Sequence, residues 1–338
     1  MDLLWTRGAR PERGLALALG LLSLGLLPAT ARADADPGTS DSASPFDTPQ
    51  LRRELAGHNF IPSLFSLDPF VSTYVGSETG FGYGSAPGHT YDLAGNPIST
   101  AEYKVGAFAQ LLNFQYGFLD WWAVRLSTQL VVYSGVNGSA VAALGVNAVT
   151  NVGAGTTVSF PVGNNLRLGG SLDFTFGPSI FFNIIQAVQD SIENGTVVGP
   201  VTSQGTYSLK PAFVGAWAIE KWVGLTFSLS YQFSNATSSN SAGSETSNVS
   251  LLSGGGLFDF DLSSVGVAIG FTLGFATTFS VNNTAFRQYQ WQTGIFYTGV
   301  KPLNVGIEIV YKRAPVVGNL DTFLTSLIGL ITLQYNFN

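Results

Sequence analysis

Residues 265 to 280 read VGVAIGFTLGFATTFS. At a spacing of two, Val265, Val267, Ile269, Phe271, Leu273, Phe275 and Phe279 share one face, and Gly266, Ala268, Gly270, Thr272, Gly274, Ala276, Thr278 and Ser280 share the other. A period of two is a strand, because successive Cβ atoms leave a pleated chain on opposite sides. Strands of a soluble sandwich run about five or six residues. This alternation lasts roughly sixteen, whereas a tilted strand crosses a bilayer in about nine to eleven. One side of the strand therefore meets a tall apolar environment.

The composition agrees with a bilayer on that side. Charged residues make up 11% of the chain against a usual share of about a quarter, while hydrophobic residues reach 45% and aromatics 13%, with 40 Gly and no Cys. Lack of cysteine excludes disulfides, thiolate metal sites and a lipidated N-terminal Cys. Residues 1–33 read as an export signal: Arg7, Arg10 and Arg13, then LALALGLLSLGLL from Leu15, then Ala-Arg-Ala before Asp34. The signal holds four basic and two acidic residues, so its removal takes the net charge from −6 to −8. An acidic chain without a basic run is no partner for nucleic acid. Beyond the signal no apolar run approaches the length of a spanning helix, so crossing the membrane falls to strands.

The alternation recurs. VGLTFSLSYQFS from Val223, LRLGGSLDFTF from Leu166 and LNVGIEIVYK from Leu303 repeat it, with weaker versions at residues 122–133, 151–160, 207–219, 258–262 and 288–298. In residues 102–116 the face changes, Lys104 sharing a parity with Leu112 and Phe114, which predicts a β-bulge between Ala109 and Leu112. With residues 70–83 as first strand and 326–337 as last, about twelve strands result, joined alternately by short and longer links. The expectation is an all-β fold, a transmembrane antiparallel up-and-down β-barrel over residues 68–338 with both ends in the periplasm. Trp121, Trp122, Trp217, Trp222 and Tyr297 lie beside short turns, and Tyr231, Phe233, Phe279, Tyr289 and Tyr311 toward long loops, which forms two aromatic girdles.

The last segment, ITLQYNFN, alternates Ile331, Leu333, Tyr335 and Phe337 with Thr332, Gln334 and Asn336. It resembles the C-terminal strand of bacterial outer-membrane β-barrel proteins, with Asn338 following the terminal aromatic. LLNFQYGFLDWWAVRLSTQL, residues 111 to 130, is similar to the transporter-like barrels of meta-pathway phenol degradation. The resemblance implies the outer membrane of a Gram-negative bacterium, with outer-membrane lipids and the barrel assembly machinery, which reads the C-terminal strand, as partners. It leaves function open.

Inward faces carry mostly Gly, Ala, Ser, Thr, Asn and Gln, with scattered charges at Lys104, Arg125, Arg167, Asp173, Lys210, Asp259, Asp261, Glu308 and Lys312. Neither sign dominates, so strong ion selectivity is not expected. Small inward residues in a barrel of about twelve strands leave room for a lumen. Residues 34–67 read as a periplasmic linker with a short helix from Thr48, with Pro49 at its first position, to Gly57. This segment either enters the periplasmic mouth as a partial plug or hangs below it. In the third outer loop, Phe181, Ile184, Ile185, Val188 and Ile192 recur at three and four, which predicts a short amphipathic helix able to narrow the pore.

Three functions compete. A passive channel for small uncharged or moderately hydrophobic solutes fits the small inward residues. A barrel with plugged lumen would be structural or adhesive. A hydrolase needs a base, and of the two histidines His58 precedes the barrel while His89 lies in SAPGHTYD of the first outer loop. Asp259 and Asp261 share a strand face but lack the further oxygens that Ca²⁺ requires. The channel reading leads, with no enzyme activity, metal or cofactor implied.

Overall fold

Each alternating segment pairs with its neighbour in sequence, and the last pairs with the first. A computed structural model describes residues 53–63, 67–91, 97–138, 140–141, 145–182, 201–240, 243–282, 286–300, 302–316 and 319–337. Two short strands come first, β1 (Glu54–Leu55) and β2 (His58–Asn59). The wall follows: β3 (Tyr74–Tyr91), β4 (Pro97–Leu119), β5 (Trp122–Gly135), β6 (Val146–Pro161), β7 (Leu166–Phe182), β8 (Val201–Glu220), β9 (Val223–Asn240), β10 (Gly243–Asp261), β11 (Ile269–Ser280), β12 (Arg287–Val300), β13 (Leu303–Val316) and β14 (Asn319–Asn336). These twelve form one closed antiparallel barrel, sealed where Asn336 of β14 meets Tyr74 of β3. Closure leaves no unpaired edge, which a sheet needs if it is to lie in hydrocarbon.

Facing follows the pleat. Along β11, Ile269, Phe271, Leu273 and Phe275 are exposed on the outside, while Gly270, Thr272 and Gly274 are buried within. The strand is shorter than its alternation, because residues 262–265 form a 3₁₀ turn capped by Asp261. Val265 and Val267 thus sit at the periplasmic rim.

The expected bulge in β4 does not exist. Register with β3 is continuous from Tyr74↔Gln115 to Thr90↔Ser99, and with β5 from Val105↔Gly135 to Gly117↔Ala123. Lys104 consequently stands on the outward parity, half-exposed and 3.3 Å from Glu102. The misreading assumed a uniformly polar interior. Here Val105, Ala107, Ala109 and Leu111 point inward, and the outward Gln110 is satisfied by Ser77 and Thr79 of β3.

Long outer loops also proved shorter than their sequence suggested, because several strands continue past the apolar belt. β9 and β10 remain paired to Asn240↔Gly243, with Asn235 bonded to Asn248 at 2.8 Å. Side chains there are polar on both faces, so no alternation marks them as strand. His89 likewise lies within β3, opposite Thr100. Residues 1–52, holding the export signal and the helix start at Thr48, lie outside the described residues, as do Ile184, Ile185, Val188 and Ile192. Phe181, assigned to the same helix, instead continues β7 opposite Thr202 of β8.

Both aromatic girdles are in place. Trp121 stacks on Phe160 and Phe118 on Trp122 near the periplasmic turns, while Phe176 packs on Tyr207 and Trp291 on Tyr311 toward the outer side. Trp122 also donates to Thr156 Oγ1 at 2.7 Å, which satisfies its indole N–H on the outer surface.

Candidate functional site

The lumen is filled in its periplasmic half by the chain's own N-terminal segment. Arg53 begins a hairpin rather than the end of a helix: β1 and β2 pair at Leu55↔His58, and Phe60 N–H donates to Arg53 O at 3.0 Å. The turn uses Ala56 and Gly57, both at positive φ (51° and 83°), the backbone of a two-residue hairpin. Residues 67–73 then lead into β3, with Phe70 O accepting from Gln115 and Gly117 N–H donating to Thr73 Oγ1. His58, Phe60, Phe70 and Val71 are all at most 2% exposed.

Inward wall side chains and the β8–β9 turn hold this plug. Both ring nitrogens of His58 face acceptors, Asp259 Oδ1 and, at 3.3 Å, Lys221 O. With both nitrogens engaged, the ring has none free to act as a general base. Asn59 donates to Asp261 at 3.2 Å, and Asp261 also caps the 3₁₀ turn through Ser263. Ser63 Oγ donates to Glu308 at 3.4 Å, a carboxylate that also accepts from Gln292 and Thr332. Ser159 donates to Pro69 O and Gln115 to Phe70 O.

Inside the plug Arg53 pairs with Asp68 at 3.3 Å and lies over the Phe70 ring at 5.3 Å. Burial pushes the Arg53 guanidinium below its ordinary value, while Asp68 and then Asp259 pull it back up. Arg167 also lies over the Phe70 ring, 5.9 Å from its centroid, and donates to Ser159 and to Asp120 O.

The wall is cut to receive this segment. A Cβ on Gly224 would lie 2.6 Å from both a His58 and a Phe60 ring carbon, and one on Gly270 would run into Ile61. Gly224→Val is therefore expected to displace the plug while the barrel still closes, at a cost of about 1–3 kcal/mol. Trypsin nicking of the N-terminal segment beside an unchanged folded-barrel gel mobility checks it.

Above the plug, Arg125 pairs with Asp173, and Lys210 stands opposite Asp173 in the ladder. A water-sized cavity of about 20 Å³ lies among these three and Leu67. Higher still one arc of the interior is apolar, while Gln129, Asn147, Asn151, Ser208, Gln232 and Ser234 line the rest. Ala86, Val105, Val131, Tyr133, Val149 and Leu324 form one cluster, with Val310, Ile328 and Leu330 as another. The connection after β5 folds over this mouth: Ala140 is buried in the cluster, and Asn137 holds the turn by accepting from the backbone of Lys104 and Ala140 at 3.2 Å.

Of the nine charges placed in the lumen, the structure brings Asp259, Asp261 and Glu308 to the plug as hydrogen-bond partners, brings Arg167 over Phe70 and groups Arg125, Asp173 and Lys210, with Lys312 apart; Lys104 is outside. His58 and Glu78 were missed. Glu78, buried on β3, was legible as the lone charge on a Gly face, whereas His58 lies far in sequence from Asp259. Among the described residues no three His, Cys, Asp or Glu gather as a metal site.

No protein-family model and no curated protein matches the chain. Solved structures do. It is similar to the translocator domain of the autotransporter NalP from Neisseria meningitidis, at 10% identity over 79% of this chain and 89% of that one, TM-score 0.52. It also aligns with an outer membrane channel from Pseudomonas putida F1 (12% identity, 82% and 100% covered, TM-score 0.49) and a Pseudomonas aeruginosa FadL homologue (11%, 80% and 92%, 0.47). The chain has the fold of an outer-membrane β-barrel. Its closed wall and apolar exterior between aromatic girdles place it in that membrane.

Proposed function

We propose that this outer-membrane barrel is a channel passing small uncharged or moderately hydrophobic solutes by passive diffusion, closed at rest by residues 53–73. The observation that carries this reading is what fills the lumen. Wall residues of a purely structural barrel would fill it themselves, but here glycines such as Gly224 and Gly270 leave the space to a separate segment held by side-chain contacts. Such a segment can leave without breaking the barrel's ladder. The apolar arc of the outer half gives the path its preference, since a hydrated ion gains nothing against Val105, Val131 and Leu324. Spent His58 nitrogens argue against the hydrolase.

Planar-bilayer recording of the mature chain and of a chain lacking residues 34–67 tests it. Closed or brief openings in the first and steady conductance in the second are expected. A folded, silent deletion chain would favour the structural or adhesive barrel. We expect the assembly machinery to engage β14, whose terminal Phe337 packs on Tyr335 at 5.3 Å.

A further inference from the structure

Lys312 points into the lumen from β13, fully buried, and its Nζ has no hydrogen-bond partner. Opposite it on β14 lies Ser326, also inward and buried, whose Oγ is equally without one. Two donors side by side lack an acceptor. Burying an unpaired ammonium is costly, so a wall that keeps one there calls for an explanation.

The wall's own acids do not supply it. Glu308, the nearest on the same face of β13, spends both oxygens on Ser63, Gln292 and Thr332. Asp173 is bonded to Arg125, and Asp259 to His58. Glu78 stands opposite Thr332, about 20 Å along β14 from Ser326. Gln290 of β12 stands opposite Lys312 in the ladder, and the inward residues next along the two strands are aliphatic: Val310 and Ala314 on β13, Leu324 and Ile328 on β14.

We infer that Lys312 and Ser326 bind the carboxylate of an amphiphilic acid whose apolar tail lies against Val310, Leu324 and Ile328. This names the solute class for the channel and rests on that reading. A carboxylate supplies acceptors to both orphaned donors. The tail fits a surface that water leaves dry. The same acid would lie above the plug, in the outer half that an incoming solute reaches first.

Isothermal titration of the mature chain in nanodiscs, with empty nanodiscs subtracted, tests this using hexanoate, hexanol and acetate. Hexanoate should bind more tightly than either, since hexanol lacks the head charge and acetate the tail. Lys312→Met should weaken hexanoate about tenfold or more, the worth of a charge-assisted hydrogen bond, and leave hexanol unchanged. Ser326→Ala, which removes only a hydroxyl and spares the fold, should cost about threefold. Lys104→Met, on the outer surface, should change nothing. Equal binding of hexanoate and hexanol, or hexanoate binding untouched by both lumen variants, overturns the site. Titration needs no open pore, so a deletion chain that stays silent while hexanoate binding holds defeats the channel and keeps the site. Conduction with no preference for hexanoate does the reverse.

Discussion

Phe271→Arg is expected to lower barrel stability by about 2–4 kcal/mol, the depth-dependent cost of a cation on the lipid face. Phe271 stands outward on β11, in register between Phe260 of β10 and Ile295 of β12, so both flanking strands also present apolar side chains there. An arginine there would lie between apolar side chains on the lipid face. The control is Thr278→Arg, on the inward face of the same strand, where the hydroxyl meets Ser253 at 2.9 Å and is partly open. Thr272, the inward neighbour that sequence parity alone would choose, is unsuitable: it is 1% exposed in the packed lower lumen. Urea unfolding in lipid vesicles, followed by tryptophan fluorescence, should separate the two variants. Equal losses would mean that the faces are assigned the wrong way round.

Asp259→Ala should undock the plug. Removing one partner from a buried ion pair costs about 3–5 kcal/mol, because the other charge stays behind in a medium that cannot solvate it. His58 would be the partner left behind, with both residues of the pair at 0% exposure. The wall ladder does not depend on the pair, since β10 keeps its register with β9 and β11 through backbone bonds. The cost therefore falls on docking, where it amounts to a change of about 10² to 4 × 10³ in the ratio of seated to released plug. Trypsin cleavage after Arg53 should accelerate accordingly, and frequent openings should appear in bilayer recordings. His58→Ala combined with Asp259→Ala should recover part of the docking, as replacing both charges removes the desolvation penalty. A cleavage rate unchanged from the parent would show that the pair does not hold the plug.

Strand positions, facing and girdles were readable in the linear chain because a bilayer acts on each strand separately. Phe271 faces lipid whatever its partners are, so a local period of two reports it directly. The limits of that signal appear where lipid is absent. Residues 235–248 are polar on both faces above the membrane, and β4 is apolar on its lumen side, so neither alternates as expected.

The sequence by itself determined a transmembrane barrel of about twelve strands, its inside and its outside. Only the tertiary structure decided what the inside holds. His58 reaches Asp259, Ser63 reaches Glu308, and Arg125 reaches Asp173 across a lumen whose curvature brings distant strands together. Those meetings depend on strand tilt, register and closure, properties of the whole ring that no single segment encodes.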